Sequence, residues 1–275
     1  MFNAATGGYA GAVLWSAGDV MKIGILGAGN IGGNLARLLG RAGHDVRLAN
    51  SRGPETIRDR AREAGATPVT VGDVVRDVDL VIVSIPLGAI ESLPGNLFDS
   101  VPADVIVVDT GNYYPGLRDP EIAEIEAGMP ESLWVSQRLE RPLVKAFNSI
   151  GFPSLAGGGR PTGSPGRIAL PVAGDDPRAR AAVMTLIDEI GFDIVDAGAL
   201  DESWRQQPGT PAYCTDLDRG SLVSALAMAD RARAPERRDR FIEEMRAAIR
   251  EGRPVDLVAL GRSVYGAPAP GAGPS

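Results

Sequence analysis

The sequence is short of the groups that most often move protons, bind metals or attack carbonyl carbons. Its one cysteine, Cys214, leaves no partner for an intramolecular disulfide and excludes a thiolate metal cluster. Its one histidine, His44, removes most histidine-based metal sites and argues against a Ser-His-Asp triad. Both read as packing residues: His44 sits where a helix runs into a strand in "RAGHDVRL", and Cys214 has no recognisable base beside it. Lysine occurs twice, as Lys22 and Lys145, so the basic character is almost wholly arginine. The net charge of -7 argues against a chain that wraps nucleic acid or lies on an anionic membrane. No run of eighteen apolar residues is present, so no membrane span is expected, and a cytoplasmic location is the expectation. Residues 1–20 lack the basic flank and continuous apolar core of a secretory signal. They read as a poorly ordered extension or a misplaced start, ahead of a domain that begins at Met21.

What is present suits an ordinary globular protein. At 275 residues and 44% hydrophobic content, the chain can bury a substantial core. From Met21, strands alternate with helices: "KIGILGA", "DVRLANS", "TPVTV", "DLVIVSIP", "DVIVVDTGN" and "PLVKAFNS" read as strands, while "IGGNLARLLGRAG" and "PETIRDRAREAG" carry helical spacing. Such alternation implies α/β architecture, a doubly wound parallel sheet of Rossmann type over residues 21–150 with helices on both faces. A smaller C-terminal α/β and helical region is expected over 151–265, and a disordered tail over 266–275.

Gly27, Gly29 and Gly32 form G-x-G-x-x-G directly after the first strand and at the opening of the first helix, the context in which the pattern carries meaning. Gly27 permits the tight turn, Gly29 lets backbone approach a pyrophosphate, and Gly32 allows close helix-to-strand packing. The helix N-terminus adds N–H groups and positive potential. With Ala28, Asn30 and Ile31 between them, these residues are the candidate phosphate cradle.

About twenty residues on, the second strand ends at "LANSRGPET", where an NAD enzyme presents an acid to the ribose hydroxyls. Here stand Asn50, Ser51 and Arg52. An uncharged Asn50 does not repel a 2′-phosphate, Ser51 can donate a hydroxyl hydrogen bond, and Arg52 offers a planar fork to phosphate oxygens. A helix beginning near Gly53 and Pro54 adds its amides to the same anion site. NADP(H) is therefore the expected cofactor. Arg58, Arg60 and Arg62, alternating with Asp59 and Glu63, read instead as a solvated helix face.

Taken together, "MKIGILGAGNIGGNLARLLGRAGHDVRLANSRGPET", "DLVIVSIP", "VIVVDTGNYYP", "LVKAFNSI" and "LPVAGDD" resemble the coenzyme-F420-dependent NADP oxidoreductase family, whose dinucleotide domain is also related to that of the STEAP metalloreductases. The resemblance spans about residues 21 to 213. It implies hydride transfer between NADP(H) and a flat acceptor, in the type case the deazaflavin coenzyme F420. The sequence after Cys214 adds nothing to it.

In doubly wound sheets ligands lie beyond the carboxyl ends of the strands. The candidate lining is thus Ser84, Ile85 and Pro86, then Thr110, Gly111 and Asn112, then Ala146, Phe147 and Asn148. Ser84 and Pro86 are expected on the ribose and nicotinamide side, and Asn148 to hydrogen-bond the carboxamide or the acceptor. Lys145 and Asn148 share the K-x-x-N spacing of β-hydroxyacid dehydrogenases, where lysine is the acid or base on a helix. In this chain the segment reads as a strand, which would put the two side chains on opposite faces. Lys145, Asn148 and Tyr213 are the catalytic candidates.

Beyond Ile150, "GFPSLAGGGRPTGSPGR" reads as a long loop, a functional flap or a mobile connection. "IALPVAGDD", "PRARAAVMTLIDEIG" and "FDIVDAGAL" form a further strand-helix-strand unit that should extend the sheet. "ESWRQQPGTPAYC" holds Trp204, Gln206, Gln207 and Tyr213, which either floor an acceptor pocket or seal a domain junction. Two helices follow, and the second carries an apolar stripe of Phe241, Ile242, Met245 and Ile249 for packing on the protein or on a second subunit of a homodimer.

Three functions fit. The first is an NADPH-dependent oxidoreductase passing hydride to a planar acceptor such as F420, a small-molecule partner; close approach of two cofactors needs little proton machinery. The second is a reductase of a small imine or carbonyl compound, which needs a proton donor such as Tyr113, Tyr114 or Tyr213. The third is a non-catalytic NADPH-binding or sensing protein. No nucleic acid, membrane or metal is expected in any of them.

Overall fold

The computed structural model describes residues 18–267. The apolar strand β1 (Lys22–Leu26) leads through the glycine turn into α1 (Asn30–Arg41), and β2 (Asp45–Ala49) returns parallel to β1, with Ile23 opposite Val46. A 3₁₀ turn (Pro54–Ile57) continues into α2 (Arg58–Ala64) and the short β3 (Thr67–Pro68). Then come β4 (Leu80–Val83), β5 (Ile106–Asp109), α3 (Ala123–Glu126), α4 (Glu131–Leu139) and β6 (Val144–Lys145). The remainder comprises α5 (Phe152–Gly157), β7 (Ala169–Gly174), α6 (Pro177–Glu189), β8 (Asp193–Asp196), a 3₁₀ turn (Leu200–Gln206), α7 (Arg219–Ala227), α8 (Ala234–Arg250) and α9 (Leu257–Tyr265). Eight strands make one sheet in the order β3-β2-β1-β4-β5-β6-β7-β8, a Rossmann-like α/β fold.

Both faces of the sheet are covered, which is why its strands read as continuous apolar runs. Because side chains alternate along a strand, Ile23, Ile25, Leu80 and Ile82 pack with Leu35 and Leu39 of α1 and Val183 and Leu186 of α6. Their neighbours Val81, Val83 and Val107 pack on the opposite face with Trp134 and Val135 of α4. Each fully buried leucine of α1 contributes about 1.5–3 kcal/mol by leaving water.

The sheet runs without a break across residue 150, but its sense does not. β6 pairs with β7 antiparallel, Lys145 opposite Ala173, so the parallel run from β3 to β6 reverses where the later unit joins it. β6 itself is two residues long. Phe147 adopts a left-handed φ of 60°, which ends the strand and takes Asn148 off it. The expected long loop after Ile150 is partly helix, α5, with Pro at its first turn. The rest is no loose flap. Arg167, 2% exposed, pairs with Asp188 and Asp193 at 2.7 Å each and donates to the Asp188 carbonyl, tying the loop to α6. α9 has no counterpart in the sequence reading; its cap is Asp256, which accepts from the amides of Val258 and Ala259. In the stripe on α8, Phe241 and Ile242 are buried, whereas Ile249 is 64% exposed. The expected extension and tail fall largely outside the described residues, although the Gly18 amide donates to Glu189 Oε1 at 3.0 Å. Among the described residues no helix is long and apolar enough to cross a membrane.

Candidate dinucleotide site

The three motif glycines occupy three different environments. Gly27 has φ +117°, and a Cβ there would stand 2.1 Å from the Ser84 carbonyl oxygen; at Gly32 it would meet the Gly27 carbonyl oxygen at 1.9 Å. Those two allow the turn and the close seating of α1. Gly29 has no neighbour within 4 Å, so its backbone borders open space. It is also the N-cap of α1 and offers no side-chain cap, leaving the first-turn amides to a ligand.

That space is a cavity of about 600 Å³. Leu26, Gly27, Ala28 and Gly29 border its middle, Asn50, Ser51, Arg52, Thr56 and Arg60 contribute from the end of β2 and from α2, and Ser84, Ile85 and Pro86 from the end of β4. Among the described residues no aspartate or glutamate lines it. Asn50 acts on the turn: its Nδ2 donates to Thr56 Oγ1 at 2.8 Å and its Oδ1 accepts from the Arg52 amide at 3.2 Å, an Asx arrangement that presents Ser51 and Arg52.

Arg60 refines the sequence reading. It is exposed, as are Arg58 and Arg62, but it lies on the side of α2 toward the glycine turn, where it donates to the Ala28 carbonyl and packs over Gly33. The signal lay in the helical period: Arg58 and Arg62 lie near each other around the helix, and Arg60 points to the other side. Neither Arg52 nor Arg60 pairs with a carboxylate among the described residues. Of the remaining candidates, Asn30 borders an adjacent polar groove with Gly29, Gly33 and Arg60, and Ile31 is half-buried against the core.

The candidates at the ends of β5 and β6 lie deeper. Ala146 is fully buried, its amide on the Asp109 carbonyl at 3.2 Å. Asn148 is 2% exposed and its amide group is engaged: Nδ2 donates to Asn112 Oδ1 at 3.1 Å and to the Gln206 carbonyl at 2.8 Å, and Oδ1 accepts from Gln206 Nε2 at 2.9 Å. The expected bond from Asn148 to a carboxamide would have to break these. Asn112 completes the lock by donating to the Asn148 carbonyl at 2.9 Å. Gln206 therefore seals a junction here rather than flooring a pocket.

The proton-donor candidates are withdrawn from solvent as well. Lys145 is fully buried, its Nζ 2.6 Å from the Gly111 carbonyl, 3.1 Å from Asp109 Oδ2 and 3.6 Å from Glu131 Oε2; it supports the turn after β5 and does not reach the cavity. Sequence reasoning missed Asp109, Glu131 and Ser132, whose hydroxyl donates to Asp109 Oδ2 at 2.6 Å. Burial pushes the Glu131 carboxyl up to about 7, against the opposing pull of Lys145 and the Tyr113 amide. Tyr213 is buried in an aromatic cluster with Phe241 and Tyr265, its hydroxyl bonded to that of Tyr114, and burial raises its phenol well above the usual range. Burial also pushes the Tyr113 phenol to about 12, and its oxygen accepts from the Ile122 amide at 2.9 Å. Cys214 is buried, its thiol raised to about 12 chiefly by burial, consistent with a packed thiol. His44 links elements, Nδ1 accepting from the Met21 amide and Nε2 standing 3.0 Å from Glu189 Oε2. Among the described residues no cluster of His, Cys, Asp and Glu could hold a metal.

The chain is similar in sequence or fold to several known proteins. The Escherichia coli K12 protein YjhV is 48% identical over 79 residues, which are 27% of this chain; the chain spans 58% of the length of that curated relative. The solved structure of a hypothetical protein, SMa0349, from Sinorhizobium meliloti is 29% identical, with a TM-score of 0.61 over 73% of this chain and 96% of that one. A candidate F420-dependent NADP reductase of Arthrobacter sp. FB24 shares the fold, with 23% identity and a TM-score of 0.50 over 66% of this chain and 86% of that one. Residues 22–113, from β1 past the end of β5, match the family described as NADP oxidoreductase, coenzyme F420-dependent.

Proposed function

We propose that the protein is an NADPH-dependent oxidoreductase whose cavity takes NADP(H) with the 2′-phosphate against Ser51, Arg52 and Arg60. The observation that carries this reading is the charge of the cavity: two arginines without a carboxylate partner and no acid in the lining, in a chain of net charge -7. The open space at Gly29 and the uncapped first turn of α1 fit a pyrophosphate. Bound NADPH would supply the hydride. The protein's own part is to hold the dinucleotide along Gly27–Gly29, to grip its phosphates, and to set its far end beyond β4 at Ser84, Ile85 and Pro86.

For the acceptor, a planar ring of the F420 type is the reading we favour over an imine or carbonyl compound. Hydride passing between two stacked rings needs position more than proton transfer, and the buried state of Lys145, Tyr113 and Tyr213 speaks against a side chain that protonates a substrate. The test is NADPH consumption, followed by nicotinamide absorbance, against deazaflavin, flavin, ferric and imine acceptors. Turnover with the deazaflavin alone is the expected result. Turnover with imines alone would overturn the acceptor assignment, and NADPH binding with no turnover across the panel would mark a sensing protein.

A further inference from the structure

The turn after β5 hangs on buried charge. Gly111 gives its amide to Asp109 Oδ1 at 2.8 Å and its carbonyl to Lys145 Nζ at 2.6 Å; two residues on, the Tyr113 amide donates to Glu131 Oε1 at 3.1 Å. The three charged side chains are 0–4% exposed, and Ser132 completes the ring by donating to Asp109. Asn112 lies between the two anchored residues and has no choice of place. The fit at Gly111 is close: a Cβ there would stand 2.6 Å from Leu87 Cδ1 and 2.9 Å from Asp109 Oδ1, so those side chains would have to shift. Burying one ammonium against two carboxylates is costly unless each is hydrogen-bonded. A packed apolar group at 145 would fill the volume, but it would leave the Gly111 carbonyl and Asp109 without their partner.

We infer that Lys145 is a positioning residue: held between Asp109 and Glu131, its ammonium fixes the Gly111 carbonyl and so sets the turn bearing Asn112 at the carboxyl end of β5, beside the far end of the dinucleotide. This role rests on the proposed function for its catalytic consequence and on the geometry alone for its structural one. Lys145 touches neither cofactor nor acceptor. Its effect belongs in the rate of hydride transfer, which depends steeply on placement, and not in the grip on NADPH, which is made at Ser51, Arg52 and Arg60.

The experiment pairs two readouts on the full chain, wild type against Lys145→Met and Glu131→Gln. Hydrogen exchange in the peptide carrying Gly111 and Tyr113 is expected to quicken in Lys145→Met, and kcat to fall roughly 10- to 100-fold while the Kd for NADPH stays within about 3-fold. Glu131→Gln keeps the acceptor for the Tyr113 amide and removes only the charge facing Nζ, so it should move both readouts in the same direction and by less. Unchanged exchange and unchanged kcat in folded Lys145→Met would overturn the inference. If that variant does not fold, Glu131→Gln decides by the same two measurements. A wild-type protein that turns over no acceptor refutes the proposed function, and exchange at Gly111 and Tyr113 then decides the structural role by itself.

Discussion

Glu131 makes stability depend on pH in a direction opposite to that of most carboxylates. Its folded-state value is pushed from the ordinary 4.5 to about 7, first by burial, with Lys145, the Tyr113 amide and Arg238 pulling down and Asp109 pushing up. The folded protein thus keeps a proton that the unfolded chain gives up. Stability from this group is fully present below about pH 4.5, declines as pH rises, and is lost once pH has passed through about 7. The gap corresponds to about 3 kcal/mol, a substantial part of the 5–15 kcal/mol typical of a folded domain. Glu131→Gln removes the titration while leaving an oxygen for the Tyr113 amide. Urea unfolding of both proteins, followed by tryptophan fluorescence from about pH 4.5 to about pH 8, isolates the effect as a difference between curves. The variant should gain on the wild type by about 3 kcal/mol across that interval, with the gain complete above about pH 7. A difference between the two proteins that stays constant with pH would refute the reasoning, whatever its absolute size.

Other expected outcomes concern the cavity and its surroundings. Arg52→Ala should weaken NADPH roughly 10- to 100-fold, the worth of a charge-assisted hydrogen bond, and leave NADH nearly unchanged; equal losses by fluorescence titration would sink the 2′-phosphate assignment. Because Arg52 is exposed, the loss should shrink as salt is raised. Gly32→Ala, whose Cβ would meet the Gly27 carbonyl oxygen at 1.9 Å, should cost roughly 1–3 kcal/mol in denaturant unfolding and reduce affinity for both cofactors alike. Tyr213→Phe should retain turnover, since its hydroxyl is bonded to Tyr114 inside the protein; loss of kcat with unchanged stability would restore it as a proton donor.

The first half of the fold was legible because its signals are local. A glycine turn between an apolar run and a helical period defines β1 and α1 whatever follows, and "ANSR" at the end of β2 needs only its distance from Gly29. What could not be read depends on partners far along the chain. The antiparallel pairing of β6 with β7 joins segments far apart in sequence, and the left-handed Phe147 that follows β6 is a state no residue type there announces. α5 hides in a stretch rich in glycine and proline because Pro153 suits the first turn of a helix as well as it suits a loop. Asn148 looked available because its carboxamide partners, Asn112 and Gln206, approach from 36 and 58 residues away. The buried charge around Lys145 was invisible for the same reason: Asp109 ends a strand, Glu131 opens a helix, and only the fold brings them to one ammonium.

The cavity rim and the neighbouring turns differ in how freely they can change over evolutionary time. The part of the rim to which we assign the 2′-phosphate is drawn from one contiguous stretch, residues 50 to 60, whose Ser51, Arg52 and Arg60 are exposed and touch little of the core. Mutations there can shift cofactor preference with little cost to folding, one residue at a time. At the ends of β5 and β6, outside the cavity lining, Asn112, Lys145, Asn148 and Gln206 come from segments scattered along the chain and interlock, so a single replacement strands the others. A lineage built on this scaffold can change the cavity rim freely while the interlocked turns at the ends of β5 and β6 are inherited intact.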